Sequence, residues 1–297
     1  MKNKGILFAA LAYSMWGLFP IYFKLLHNVP SVQIVMHRIV WSALLLSGVV
    51  VVVRQVGALR RELTFKIWFN YLIAGSLLTV NWLVYVWSVN SGHILDGSMG
   101  YFINPLVSVL LGVIFLRERL RTGQWAAIGL AAAGVIYLTV TYGSLPWIAL
   151  ALASTFGLYG LMKKLAPLNP LHGLTLETTA IFLPALGVLI FSEISGVGVL
   201  GHTDTSTTLL IIFTGVMTVL PLLLFSASAQ MVPLSTLGVL QYISPTLQFL
   251  TGVLLYQETF SVQRLIGFVL IWAALGVFTL EGFAWRRRML AADAARG

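Results

Sequence analysis

Three ionisable side chains lie well inside apolar stretches of this sequence, and their types suit proton or charge chemistry. His37 and Arg38 are adjacent in one stretch, and Glu177 lies at a similar depth in another. A charge within a membrane is costly and tends to face a cavity or a partner. A carboxylate or an imidazole in such a place can bind and release protons. We therefore predict a coupling role for His37 and Glu177 and a gating or ligand-binding role for Arg38. The alternative is a structural role, with Arg38 snorkelling outward or binding backbone carbonyls.

Prolines interrupt three apolar stretches, at Pro105, Pro221 and Pro245. A proline inside a helix leaves the carbonyl four residues earlier unpaired. Such backbone is costly in lipid, so we expect these kinks to face protein or a wet cavity. Helical spacing puts polar side chains on one stripe beside two of the prolines. The stripes are Tyr101, Asn104 and Ser108, and Gln241, Ser244 and Gln248. We predict that both stripes line a substrate pathway; the alternative is that the kinks only pack helices together.

Aromatic side chains near these stripes could bind a ligand through their ring faces. Trp16, Tyr85 and Tyr101 lie deep in apolar stretches, near the polar Asn81. Such rings can stack on a planar or cationic substrate. We predict that Trp16, Asn81, Tyr85 and Tyr101 bind substrate, and core packing is the alternative for the rings.

Several function classes lack their signatures in this sequence. There is no G-x-x-x-x-G-K-[ST] phosphate loop, and the five histidines are dispersed without metal-ligand spacing. We therefore expect no metal and no cofactor. A membrane enzyme acting on lipid-linked substrates is one alternative, and it would need clustered carboxylates or histidines at one membrane surface. Glu118 and Glu258 each end an apolar stretch just ahead of the next one, where they could cap exposed N–H groups.

Membrane-spanning helices must position these residues. The 297 residues are 59% hydrophobic and 9% charged, with a mean hydropathy of +0.93, far from soluble averages. A spanning helix needs about 20 mostly apolar residues. We predict an all-α integral membrane protein whose first helix is retained rather than cleaved as a signal peptide. The ten predicted helices lie near residues 5–25, 32–53, 66–90, 94–116, 123–142, 144–163, 172–191, 207–230, 234–256 and 262–283.

The basic residues predict the orientation of these helices. If the N-terminus is cytoplasmic, fifteen of the eighteen Lys and Arg, including Lys163 and Lys164, fall in cytoplasmic segments. Only Lys24 and Arg264 fall outside. Cytoplasmic loops carry such an excess, so we predict that both termini are cytoplasmic. The net charge of +9 is then a topology signal, and nucleic acid is not an expected partner.

The sequence repeats itself with a shift of 140 residues. The shift aligns Pro105 with Pro245, Glu118 with Glu258, Gly17 with Gly157, Gly75 with Gly215, and Gly112 with Gly252. Such residues in one register over the whole length indicate a duplication. Each copy holds five helices, an odd number, so the second copy enters the membrane upside down. We predict inverted repeats at 5–142 and 144–283 and a basic cytoplasmic tail at 284–297. Inverted repeats suggest alternating access, here by rocking of the two halves around a site between them.

Several motifs spread over nearly the whole chain carry a family resemblance. They are WG at 16–17, HRIVW at 37–41, NWLVYVWSVN at 81–90, GYFINPL at 100–106, FLRERL at 115–120, YGSLP at 142–146 and STLGVLQYISPTLQFL at 235–250. In them the chain resembles the drug/metabolite transporter (DMT) superfamily, specifically its ten-helix EamA-type members and, among these, the RarD-like proteins. The resemblance implies the ten-helix EamA fold and export of small metabolites or drugs across the cytoplasmic membrane.

Together these features predict a secondary transporter of small metabolites or drug-like molecules, with amino acids and amphenicols as candidates. Proton-coupled antiport and facilitated diffusion both stay open, as does a non-transporting receptor or structural role. The expected partners are the substrate, the lipid bilayer and, if transport is coupled, protons. A monomer suffices, because one chain holds both inverted halves. We expect a multi-pass protein of the bacterial inner membrane and no enzyme activity.

Overall fold

The chain is helical throughout its described part. The computed structural model describes the backbone of residues 2–90, 94–142, 147–257 and 262–294, and the side chains of residues 3–88, 100–140, 147–257 and most of 265–285. The helices are α1 (Lys2–Lys24), α2 (Ser31–Val52), α3 (Val56–Glu62), α4 (Phe65–Asn90), α5 (Ile94–Phe115), α6 (Thr122–Tyr142), α7 (Trp147–Lys164), α8 (Pro170–Ile194), α9 (Thr205–Met231), α10 (Leu234–Leu240), α11 (Ile243–Leu250) and α12 (Val262–Ala294), with a π-helical turn (Thr251–Leu255) after α11.

Most of these helices have the length and composition of membrane spans. Among the described residues, eight helices are long and apolar enough to cross a membrane, so the chain is a multi-pass membrane protein. The other two predicted stretches also hold helices, α5 and α7. The helix α3 was not predicted. It has only seven residues and no buried side chain, and it carries Arg60 and Arg61 in its last turn, so it is too short to span.

Short polar residues fix where two of the helices begin. The Asn169 side chain accepts a hydrogen bond from the His172 N–H at 3.0 Å, just before Pro170 starts α8. Asp204 caps α9 by accepting from the Thr207 N–H at 2.9 Å. Hydrogen bonds from Ser206 and Thr207 hold the pKa of the Asp204 carboxyl below its usual value. Such caps satisfy the free N–H groups of a first turn.

The ninth predicted stretch is not one continuous helix. It divides into α10 and α11 at Gln241 and Tyr242, four and three residues before Pro245. The break is located where proline removes the N–H that would bond to the Gln241 carbonyl. The same stretch ends in the π-helical turn, in which Tyr256 N–H donates to the Thr251 carbonyl at 3.2 Å. Pro105 and Pro221, in contrast, lie inside the unbroken helices α5 and α9.

Glycine contacts recur between positions 140 residues apart. A Cβ at Gly17 would lie 2.7 Å from the Leu247 Cβ, and a Cβ at Gly157 would lie 2.8 Å from Val107 Cγ1. Gly75 and Gly215 form a second such pair: Gly75 faces Ile181, and Gly215 faces Trp41. In each pair the contacted residues are also related by the 140-residue shift: Val107 corresponds to Leu247, and Trp41 corresponds to Ile181. The glycines allow these helices to approach closely, as small residues do in membranes.

Helices of the two sequence halves interleave in this bundle. The helix α5 packs mainly on α7 and α10, α6 on α12, α1 on α9 and α11, and α2 on α8 and α9. Each of these pairings joins a helix before residue 143 to one after residue 146. The halves therefore do not form two separate packed bodies, which bears on how the protein can move.

Candidate functional site

A cavity of about 310 Å³ lies between α1, α2, α4, α5, α7 and the α10–α11 segment. Its walls are largely aromatic, with a few amide and hydroxyl groups and one cation, Arg38. This mixture of apolar wall and few polar groups is typical of small-molecule sites. The cavity contains residues of both halves of the chain.

Most of the predicted site residues come together in this cavity. Its lining includes Trp16, Asn81, Tyr85, Tyr101, Asn104, Gln241, Ser244, Gln248, Arg38 and Pro245. Ser108 is not among them. It is buried and lies against α10, where a Cβ at Gly238 would come 3.0 Å from the Ser108 Cβ. The first predicted stripe therefore leaves the cavity one turn after Asn104, because α10 packs onto it there.

Arg38 is the only Lys or Arg among the described residues that line the cavity, and it is 8% exposed. Its Nε donates to Thr218 Oγ1 on α9 at 2.9 Å. Its Cζ lies 4.1 Å from the centre of the Trp82 ring and 5.4 Å from that of Phe23. Cation–π contacts of this kind stabilise a desolvated guanidinium. Arg38 is thus held in the cavity wall by α4 and α9 and does not snorkel to a surface.

The amide side chains divide into anchored and unpartnered ones. Asn81 donates through Nδ2 to the Leu152 carbonyl at 2.8 Å and to Thr155 Oγ1 at 2.9 Å, and so joins α4 to α7. Gln248 donates to the Trp16 carbonyl at 3.3 Å. The side-chain amide oxygens of Asn104 and Gln241 are buried and have no hydrogen-bond partner within the described part of the chain. Buried acceptors are normally satisfied, so these two oxygens are suited to a ligand.

The predicted aromatic residues belong to two groups of rings. Tyr85 and Tyr101 meet edge to face, with ring centroids 5.5 Å apart. Trp16 lies in a cluster with Tyr13, Phe156 and Phe225, at centroid distances of 5.6 to 5.8 Å. Trp16 and Phe156 both reach the cavity. Packing and cavity lining are therefore combined in the same rings.

Glu177 lies outside this cavity, in a buried ion pair. Its Oε1 is 2.5 Å from the Lys163 Nζ, and its Oε2 accepts a hydrogen bond from the Tyr159 hydroxyl at 3.2 Å. The side chains of Lys163 and Glu177 are each 2% exposed. A separate cavity of about 170 Å³, lined by Lys163, Glu177 and Tyr71, borders the pair. The sequence predicted Lys163 at the cytoplasmic end of a helix, and the structure buries it in the last turn of α7.

His37 is buried and does not line the large cavity. Its Nδ1 has no hydrogen-bond partner among the described side chains and backbone groups. His37 and Glu177 are equivalent under the 140-residue shift, yet only Glu177 has a charged partner. The two residues thus have different surroundings in this state.

The three prolines contribute to the site unequally. Pro245 lines the cavity at the break between α10 and α11. Pro105 does not line it; the Pro105 carbonyl faces α10, 2.7 Å from the position of a Cβ at Gly238. Pro221 is buried within α9 and lies away from the cavity lining. Of the three prolines only Pro245 lines the cavity, and the Gln241 backbone carbonyl, which the sequence predicted to be unpaired, accepts instead from the Ser244 N–H at 3.1 Å.

The predicted capping role of Glu118 is confirmed, although it caps a different helix from the one expected. Its carboxylate accepts from the N–H groups of Leu234 at 2.6 Å and Ser235 at 2.9 Å, at the start of α10. The expected helix was α6, which follows Glu118 directly in sequence. Glu258, the second predicted cap, lies outside the described residues.

Sequence reasoning missed several residues of these sites. Phe19, Phe23 and Trp82 line the cavity, and Lys163 is the partner of Glu177. Phe19 and Phe23 follow Trp16 at helical spacing, so a signal for them existed. No local sequence pattern predicts the hydrogen bond between Arg38 and Thr218, because 180 residues separate them.

Comparisons with known proteins place this arrangement in a family. Residues 3–140 match the model of the EamA-like transporter family. The chain is 46% identical to the uncharacterized transporter YojE of Bacillus subtilis (strain 168), over 96% of each chain. It is 42% identical to protein RarD of Streptomyces exfoliatus, over 97% of this chain and 91% of that protein.

More distant comparisons agree with this placement. The chain is 28% identical to the chloramphenicol-sensitive protein RarD of Pseudomonas aeruginosa (strain PAO1), covering 100% of this chain and 99% of that one. A crystal structure at 19% identity has the same fold, with a TM-score of 0.71 over 94% of this chain and 98% of its own. The family consists of membrane transporters and is not an enzyme class. The chain belongs to the RarD-like group of the EamA-like transporter family within the drug/metabolite transporter superfamily.

Proposed function

We propose that this membrane transporter is a secondary exporter that works by alternating access, with the cavity around Arg38 as its substrate site. The observation that carries the proposal is the central cavity itself. It combines aromatic walls, two unpartnered amide oxygens and a buried cation at the meeting point of both sequence halves. Transporter sites commonly lie at the interface of repeats, near the middle of the membrane.

The recurrent contacts support two inverted repeats, residues 5–142 and 144–283. The glycine contacts of α1 with α11 and of α7 with α5 are related by the 140-residue shift. The Tyr242 hydroxyl donates to the Phe102 carbonyl, a contact between two positions that the same shift relates. Such a contact is expected where a pseudo-two-fold axis passes. We propose ten spans in this arrangement, with both termini and the tail at 284–297 in the cytoplasm.

An asymmetry between equivalent positions supports alternating access. Phe19 and Phe23 line the open cavity, whereas their equivalents Tyr159 and Lys163 are packed around Glu177. One end of the pseudo-symmetric bundle thus holds the cavity of about 310 Å³, whereas the other holds the buried ion pair beside the smaller cavity of about 170 Å³. We propose that a second state exchanges these roles, opening the Lys163 end and packing the Phe19 end.

The orientation proposed from the basic residues makes this state open to the outside. The rim of the cavity includes His27, Val29 and Ser31, at and after the end of α1, a segment proposed to be external. The closed, cytoplasmic end would then hold the Lys163–Glu177 pair. This arrangement suits export across a bacterial inner membrane by a monomer, with substrate entering when the pair separates.

Protons are the proposed coupling ion, and Glu177 and His37 are the proposed coupling residues. If transport is not coupled to protons, the protein works by facilitated diffusion. A carboxylate freed from Lys163 and then desolvated can take up a proton, so opening and protonation would be linked. Amino acids and amphenicols are the candidate substrates.

Counterflow in liposomes tests the proposed function. Purified protein is reconstituted, loaded with one unlabelled candidate, and tested for uptake of the same labelled compound, with and without a proton gradient. We expect counterflow for at least one amino acid or amphenicol. The absence of counterflow across both classes, with a folded protein, would count against secondary transport of these substrates.

A further inference from the structure

Arg38 brings a cation into the cavity, and no carboxylate lies beside it among the described residues. None of the described Asp or Glu side chains forms an ion pair with Arg38, and none is among the described residues that line the cavity. A guanidinium has five N–H donors, and within the described residues Arg38 uses only Nε, toward Thr218. A buried charge without a counter-ion is costly. A bound anion would remove that cost.

The surroundings of Arg38 leave its free donors available. The Trp82 ring lies over the guanidinium, with 4.1 Å between Cζ and the ring centroid. Such stacking uses the face of the guanidinium and none of its N–H groups. Carboxylates bind the remaining edge through two parallel hydrogen bonds. Trp82 and Thr218 therefore hold Arg38 in place while its fork stays open to a ligand.

The rest of the cavity suits an uncharged, planar body. Trp16, Tyr85, Tyr101 and Phe156 supply aromatic wall. A volume of about 310 Å³ is at the lower end of the range for small-molecule pockets. An ammonium group would meet the like charge of Arg38 and, within the described lining, no carboxylate. This speaks against the cationic substrate that the aromatic residues alone suggested.

We propose that the cavity binds small organic anions, with a carboxylate on Arg38 and an apolar planar body against the aromatic side chains. The proposal rests on the proposed function, whose substrate class it narrows. A carboxylate-bearing metabolite uses Arg38, whereas a neutral amphenicol does not. Arg38 is thus assigned as the residue that selects ligands by charge.

Binding of three probes of similar shape tests this assignment. The probes are 3-phenylpropionate, its amide 3-phenylpropionamide, and 3-phenylpropylamine. Each is titrated by calorimetry at neutral pH into the full chain in phosphatidylcholine nanodiscs, with empty nanodiscs as the blank. We expect the acid to bind at least about tenfold more tightly than the amide, as one charge-assisted bidentate contact allows, and the amine to bind most weakly.

Variants then locate the source of the preference. Arg38→Gln should weaken binding of the acid until the difference between acid and amide is lost, and thermal unfolding of the variant in the same nanodiscs reports that it is folded. Lys24→Gln is the matched control: Lys24 is exposed near the end of α1 and does not line the cavity. It removes a positive charge but should keep the preference. Asp96→Asn should also leave it unchanged, although the Asp96 side chain lies outside the described residues.

Four outcomes would overturn the proposal. Two concern the unaltered protein: it fails to bind 3-phenylpropionate, or it binds the acid and the amide with equal affinity. The third is a preference for the acid that persists in Arg38→Gln. The fourth is tighter binding of the acid in Asp96→Asn, which would mean that Asp96 already neutralises Arg38. The probe series on the unaltered protein needs no variant to fold. Binding of 3-phenylpropionate without counterflow of that same acid would contradict transport and leave the anion site intact, whereas counterflow without charge preference would do the reverse.

Discussion

The buried pair of Lys163 and Glu177 gives a stability prediction at the scale of single residues. Removing one partner of a buried ion pair leaves an uncompensated charge and typically costs about 3–5 kcal/mol, whereas replacing both by apolar residues is often neutral. We expect Lys163→Met to lower the thermal unfolding temperature strongly. The double variant Lys163→Met/Glu177→Leu should recover most of the loss.

Thermal unfolding in detergent, followed by tryptophan fluorescence, measures both variants beside Glu177→Leu. Losses that simply add in the double variant would mean that the two side chains do not stabilise each other. Lys164→Met is the matched control, because the Lys164 Nζ contacts only a backbone carbonyl, that of Val232 at 2.7 Å, among the described groups. It should cost less than Lys163→Met.

A transport prediction belongs to the same carboxylate. If Glu177 is the coupling residue, Glu177→Gln should abolish accumulation driven by a proton gradient and spare exchange at equal concentrations, because exchange needs no net proton movement. Both quantities are measured in the same proteoliposomes, so retained exchange reports a folded protein. Accumulation that persists in Glu177→Gln would assign the carboxylate to structure alone. His37→Gln is expected to shift the pH optimum more than the maximum rate.

The sequence predicted the cavity residues better than it predicted their partners. Tyr101, Asn104, Gln241 and Ser244 could be found because helical spacing and a repeated proline point to one face. Lys163 could not be assigned to Glu177, because a lysine near a helix end reads as a topology signal. Ser108 has the right spacing but lies beneath α10, and only the packing of α10 on α5 decides that.

At the scale of helices, the break between α10 and α11 predicts an effect of Pro245. In Pro245→Ala the new N–H can bond to the Gln241 carbonyl and join α10 to α11. We expect the protein to insert and fold but to lose most of its counterflow. Pro105→Ala should also reduce counterflow, because Pro105 lies where α10 packs closely on α5. Normal counterflow in both variants would reduce these prolines to packing features.

Close helix contacts give a second prediction at this scale. A Cβ at Gly215 would lie 2.7 Å from the Trp41 Cβ and 2.8 Å from the Trp41 backbone carbon. We expect Gly215→Ala to destabilise the protein by roughly 1–3 kcal/mol, as overpacking does. Gly48, also inside a helix, has nothing within 4 Å of its Cβ position. Gly48→Ala is therefore the matched control and should be neutral or stabilising by up to about 1 kcal/mol.

The helical elements themselves were largely readable from the sequence. Apolar length located the spans. The glycines that share one register, Gly17 with Gly157 and Gly75 with Gly215, make equivalent contacts with neighbouring helices. The helix α3 and the division of the ninth span were not anticipated. Both features involve only a few residues, and hydropathy averaged over a span of about 20 residues does not resolve them.

At the scale of the whole molecule, the charge asymmetry predicts the topology. Reporter fusions after residue 60 and at the C-terminus should be active in the cytoplasm, and a fusion near residue 202 should be active outside. Alkaline phosphatase and green fluorescent protein reporters, used in parallel, give opposite signals at each site. An external C-terminus would contradict the proposed inverted repeats.

Interleaving of the halves changes the expected motion. Rocking of residues 5–142 against 144–283 as rigid bodies would separate α5 from α7, α6 from α12 and α1 from α9, the three most extensive helix pairings among the described residues. Moving bodies that each contain helices from both halves keep these pairs together. Glu118, which caps α10 from the end of α5, would then travel with that helix.

The same interleaving has a consequence for biosynthesis. Span by span, the first half enters the bilayer before any of its main partners exist, so Asn81 must wait for Leu152 and Thr155, and Arg38 must wait for Thr218. Until the ribosome has made α7, Asn81 faces lipid or the insertion machinery, and until it has made α9, so does Arg38. Each half made alone should therefore be degraded, whereas the two halves made together as separate chains should find each other in the membrane.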